Sequence, residues 1–148
     1  MFRNILLVFE NERIFPEALV YAREFARRID AKVTLLMIVP MSFAGRTVIG
    51  PKRNTIRNIE SRGGKILSDC LPAFIQEGIE VNSALKIGDP AQELMKFLAD
   101  RPPFQSIVWG SGRDLPDKGR NGQRHWMAGV VGSLECPLLT VSKRGGQQ

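Results

Sequence analysis

Short, almost unbroken apolar runs alternate along this chain with stretches that are apolar at every third or fourth residue. That alternation narrows the possible folds more than any other feature. The first run, Ile5-Leu6-Leu7-Val8-Phe9, predicts a strand over Phe2–Phe9 that is covered on both faces, because a strand with one wet face would alternate with polar residues. Pro16 then opens a helix, where its missing N–H costs nothing, and Ala18, Leu19, Ala22, Phe25, Ala26 and Ile29 form one apolar face. Asp30-Ala31 turns into a second strand, Lys32–Val39, ended by Pro40. Residues Met41–Asn54 hold Gly45, Gly50 and Pro51 and read as irregular, either a flap or a disordered loop.

Ile56, Ile59, Ile66, Leu67, Phe74 and Ile75 mark a long helical segment that Gly63-Gly64 and Pro72 should weaken or bend, with Gly78 as its stop. Glu80–Ile87 reads as the third strand. Asp89-Pro90 is a sharp helix start, an N-cap followed by proline in the first turn, with Leu94, Phe97 and Leu98 as the buried stripe. Ser106–Trp109 reads as strand four and runs into Gly110-Ser111-Gly112. A basic loop follows, then a helix carrying Trp126, Met127, Val130, Val131 and Leu134 on its apolar face, and a last strand, Leu138–Val141. Strands that alternate with helices throughout build an α/β domain with a parallel sheet and right-handed crossovers. The boundaries read as residues 1–142 for the domain and a disordered tail over 143–148.

Composition excludes more than it selects. The net charge of +6 is spread over separate segments without an aromatic–basic stacking motif, so nucleic acid is an unexpected partner. No apolar run approaches the roughly 18 residues that cross a bilayer, and the first residues are too quickly acidic for a signal peptide; a cytoplasmic protein without membrane contact is expected. Cys70 and Cys136 are distant and read as buried thiols, and a lone His125 offers no metal its usual set of ligands. No G-x-S-x-G elbow, H-E-x-x-H or paired-carboxylate motif is present. Catalysis is therefore not expected.

In this order and at this length, NILLVFENERIFPEALVYAREFA, VTLLMIV, KIGDPAQELMKFL, WGSG and CPLLTV resemble the universal stress protein family, from Asn4 to Val141. The resemblance implies a Rossmann-like open sheet of five parallel strands in the order 3-2-1-4-5, with helices on both faces. It also implies a homodimer formed through the last strand, Leu138–Val141, and regulation through an unidentified protein partner. Members that bind ATP carry G-x-x-G-x9-G-[ST] after strand four. Here the first glycine is matched by Gly110, but the second position holds Arg113, the third Gln123 or Arg124, and the hydroxyl position Arg124 or His125. The acidic residue that meets ribose is matched by Glu10.

Glycines at those positions let backbone N–H groups approach phosphate oxygens; an arginine there either fills the phosphate position or substitutes a charged fork. The candidate nucleotide or anion pocket is thus Glu10, Ile38, Gly110, Ser111, Gly112, Arg124 and His125. Two readings stand side by side. In one, Arg113, Lys118, Arg120, Arg124 and His125 are a solvated loop on a protein that takes no ATP and acts through partners. In the other, they are a rebuilt anion site on a nucleotide sensor. Trp109, Trp126 and Met127 read as core, while Glu10 reads equally as a ribose contact or as a polar strand end.

Overall fold

A computed structural model of the chain describes residues 3–41, 51–112 and 125–141. Five parallel strands, β1 (Asn4–Glu10), β2 (Lys32–Pro40), β3 (Val81–Gly88), β4 (Ser106–Trp109) and β5 (Leu138–Leu139), lie in the order β3-β2-β1-β4-β5, as expected. Helices α1 (Pro16–Ile29), α2 (Pro51–Ile75), α3 (Pro90–Ala99) and α4 (Trp126–Val130) connect them. β1 is central, paired with β2 along its whole length and with β4 from Ile5 to Val8.

The continuous apolar runs are explained by cover on both faces. Ile5, Leu7, Phe9, Val33, Leu35, Met37 and Val108 pack with α1 and α2 on one side. Leu6, Val8, Leu36, Ile38, Ile107 and Trp109 pack with α3 and α4 on the other. Ala18, Ala22 and Ala26, all essentially without exposure, present only methyl groups to the sheet and let α1 lie close. Gly63 plays a similar part in α2. A Cβ there would stand 3.1 Å from the Met37 sulfur and 3.3 Å from Leu85, so this glycine lets the helix touch β2 and β3.

Four sequence expectations are corrected. β1 runs from Asn4 to Glu10 rather than Phe2 to Phe9, which brings the Glu10 carboxylate to the tip of the strand. The irregular segment expected over Met41–Asn54 gives way to helix at Pro51; residues 42–50 lie outside the described residues. Gly63-Gly64 and Pro72 do not interrupt α2, because packing of Gly63 on the sheet offsets weak propensity and Pro72 is exposed near the helix end. The last helix is one turn, extended by a 3-10 turn over Val131–Ser133, and β5 spans only Leu138–Leu139 rather than Leu138–Val141. The expected tail, residues 143–148, lies outside the described residues.

The start of α3 is as the sequence implies: the Asp89 carboxylate accepts from the backbone N–H of Gln92 at 3.0 Å, with Pro90 behind it. Asp89→Ala should lower stability by about 1 kcal/mol and Asp89→Asn by much less, read from urea unfolding midpoints.

Candidate functional site

The carboxyl ends of β1, β2 and β4 meet where the strand order reverses, the place at which open parallel sheets receive ligands. The loop after β1 is laced to its neighbours there. The backbone N–H of Asn11 donates to the carbonyl of Ile38 at 2.7 Å, and that of Phe15 to the carbonyl of Gly110 at 2.8 Å. Asn11 takes φ 60° to make the turn, a conformation that asparagine tolerates better than most residues. The Ser111 hydroxyl accepts from the backbone N–H of Glu10 at 2.5 Å and donates to the carbonyl of Arg13 at 2.7 Å.

Glu10 projects from the tip of β1 into an aromatic cluster. His125 Nε2 lies 2.6 Å from Glu10 Oε1, and Trp126 Nε1–H donates to Oε2 at 3.0 Å. His125 is also the N-cap of α4, its Nδ1 accepting from the backbone N–H of Met127 at 3.1 Å. Placing the ring proton on Nε2 satisfies both bonds. The Trp109 ring meets His125 edge-on at 5.3 Å and Trp126 at 6.4 Å. Trp109 is buried, and no acceptor among the described residues meets its indole N–H. Burial alone pushes the Glu10 carboxyl up, but hydrogen bonds from His125 and Trp126, with the charge of Arg13, more than offset this and hold its pKa below the ordinary 4.5.

No family model matches the chain. Over 149 residues it is 23% identical to a universal stress protein of Methanocaldococcus jannaschii, an alignment covering 97% of this chain and 84% of that relative. In structure it superposes on a universal stress protein family member from Burkholderia pseudomallei, with TM-score 0.70, 18% identity, and 95% and 96% of the two chains covered. The chain has the fold of the universal stress protein family. It also matches a universal stress protein UspA from Lactobacillus plantarum, with TM-score 0.60, 17% identity, and 95% and 97% covered. A family protein from Arabidopsis thaliana that has AMP bound matches with TM-score 0.56 and 16% identity, over 93% and 91% of the chains.

Within this universal stress protein fold, the structure brings Glu10, Gly110, Ser111 and His125 together and gives each of them a partner inside the protein. Ile38 is fully buried in the core beneath α3 and α4, and its carbonyl is taken by Asn11. Gly112 follows Ser111 and is half-buried. Arg113, Lys118, Arg120, Gln123 and Arg124 lie outside the described residues. Gly110 is required by packing: a Cβ on it would fall 2.6 Å from Phe9 Cε1 and 3.0 Å from Leu7 Cδ1.

Trp109 and Met127 are core, as read from sequence, whereas Trp126 is half-buried and spends its N–H on Glu10. Sequence reasoning missed that bond and the imidazole cap on α4. The available signal was a His-Trp pair directly before an apolar helical stretch, together with an unpaired acid at the end of an apolar strand. Both cysteines are half-buried free thiols. Burial, with Asp69 beside Cys70 and Glu135 beside Cys136, pushes each thiol up, away from the nucleophilic thiolate. Among the described residues, no group of histidine, cysteine and carboxylate side chains could hold a metal ion.

Gly110→Ala should cost about 1–3 kcal/mol in chemical denaturation, the usual penalty of forcing a methyl into a packed core. The lowered carboxyl pKa gives Glu10 a stabilising role that is complete above 4.5 and is lost as pH falls through the folded-state value. Glu10→Gln should therefore melt below the wild type at pH 7, with the gap narrowing as pH falls below 4.5; melting temperatures at stepped pH read it directly.

Proposed function

We propose that this chain is a small regulatory domain of the universal stress protein kind that acts through dimerisation and partner binding, without catalysis and without taking ATP in the usual way. One observation carries the reading: both oxygens of Glu10, the carboxylate matched to the ribose contact, are bonded by His125 and Trp126. A ribose hydroxyl arriving there competes with two existing hydrogen bonds, one of them short, and a buried polar group left without its partner costs about 1–3 kcal/mol.

The glycine pattern points the same way, since Arg113 and Gln123 or Arg124 stand where backbone approach to phosphate needs glycine. Both ring nitrogens of His125 are committed to hydrogen bonds, which supports a structural role over general base chemistry. Pairing through the short β5 edge agrees with the expectation that an unpaired apolar strand edge invites a second copy. A cytoplasmic location fits this reading. Among the described residues, no helix is long and apolar enough to cross a membrane.

The second reading, a nucleotide or anion sensor, is favoured by the Arabidopsis thaliana neighbour that has AMP bound. Its pocket would use Glu10, Gly110, Ser111, Gly112 and His125 with Arg124, and would require His125 and Trp126 to release the carboxylate. Calorimetric titration with ATP, with and without magnesium, separates the two. The expected result is no saturable heat and no thermal shift at millimolar ATP. Saturable micromolar binding that disappears in Arg124→Ala would replace the partner-binding reading with the sensor.

A further inference from the structure

On the sheet face opposite the aromatic cluster, α1 and α2 leave an open groove of about 410 Å³ between them. One wall is Pro16, Leu19, Val20 and Arg23, the other Ile66, Cys70, Ala73 and Phe74 with Asp69. Both walls repeat every third and fourth residue, so each is a single helical stripe. Most of the lining is apolar, and Val20 is 41% exposed.

The groove ends at ion pairs that tie the two helices into place. Arg62 grips Glu12 through two hydrogen bonds of 2.9 Å at the end near Pro16. At the end near Phe74, Arg23 and Arg27 approach the same Glu77 carboxylate at 3.9 and 3.5 Å. Two guanidinium groups on one carboxylate leave an uncompensated positive charge beside apolar surface. The Arg23 Nε–H is moreover buried and meets no acceptor among the described residues.

We propose that this groove receives a short amphipathic helix of a partner protein, whose apolar residues lie between Leu19, Val20, Ile66 and Ala73 and whose Glu or Asp side chain meets Arg23. The choice of a helix follows from the two parallel stripes, into which the ridge of a third helix fits. The choice of an acidic residue follows from the two guanidinium groups that share the single Glu77 carboxylate. The proposal rests on the partner-binding reading above and supplies the site and the partner chemistry that reading lacks. Lys65 is already paired with Asp69 at 3.3 Å, so Arg23 sets the charge preference at the Glu77 end.

The test uses the full chain and two synthetic helical peptides of about 14 residues, long enough for about four turns. They share leucines at one-face spacing and differ in carrying glutamate or lysine elsewhere. Isotope-edited NMR titration should show saturable shifts at Leu19, Val20, Ile66 and Ala73 with the glutamate peptide and none with the lysine peptide. Arg23→Gln, checked by thermal melting to be folded, should weaken the glutamate peptide about tenfold, the loss expected of one charge-assisted hydrogen bond. Equal binding of both peptides, unchanged affinity in Arg23→Gln, or shifts confined to another face would overturn the proposal. So would Val20→Asp converting a dimer to a monomer, since the groove would then hold a second copy of this chain.

Photo-crosslinking in cells from Val20 and from exposed Lys96 on α3 separates this failure from that of the broader reading. Protein adducts at Lys96 alone sink the groove and leave partner binding standing. Adducts at neither position sink both.

Discussion

A strand at the centre of a parallel sheet has neighbours on both edges and helices over both faces, so it has no place for a polar side chain except at its tip. β1 obeys this strictly: every residue from Ile5 to Phe9 is fully buried, and the first residue able to reach water is Glu10. The chemistry open to the domain is thereby concentrated at one end of the sheet, among side chains that follow β1 and β4. Burial there is partial, and a carboxylate in that setting needs donors. In this chain an imidazole and an indole at the start of α4 supply them.

The hydrogen bonds at the site form one consistent set. His125 uses Nε2 for Glu10 and Nδ1 for the Met127 N–H in the first turn of α4, so the same ring satisfies the carboxylate and the helix start. In a phosphate-binding loop the helix N-terminus serves an anion; here its leading N–H is turned inward to a neutral ring nitrogen. Ser111 does comparable work on the backbone, filling the gap between the ends of β1 and the loop that follows. The glycine at 110 survives for a steric reason of its own, the ring of Phe9 beneath it.

Most of the architecture was legible because it is written in local pattern: continuous apolar strands, alanine and leucine stripes, the Asp89-Pro90 helix start and proline at the head of α1. Strand order came from the resemblance, since periodicity alone does not arrange strands. The start of α2 was misread because Gly50-Pro51 looks irregular, and Gly63 looks like a weak point until Met37 and Leu85, distant in sequence, are placed against it. The site was legible as a place but not as a set of bonds. Glu10 and His125 are 115 positions apart, and no local rule says that an acid closing one strand will be met by the histidine capping a helix four connections later. Arg62 and Glu12 were unreadable for the same reason.

The two acids of the first loop divide their attachments between opposite sides of the molecule. Glu10 is held by the helix that covers one face of the sheet, while Glu12, two residues on, is held by Arg62 of the helix that covers the other. This short span acts as a mechanical joint: it is the point at which the two layers flanking the sheet are fastened to the same few backbone atoms. The two helical layers are therefore joined by side-chain bonds that pass around the end of the sheet and not through its core.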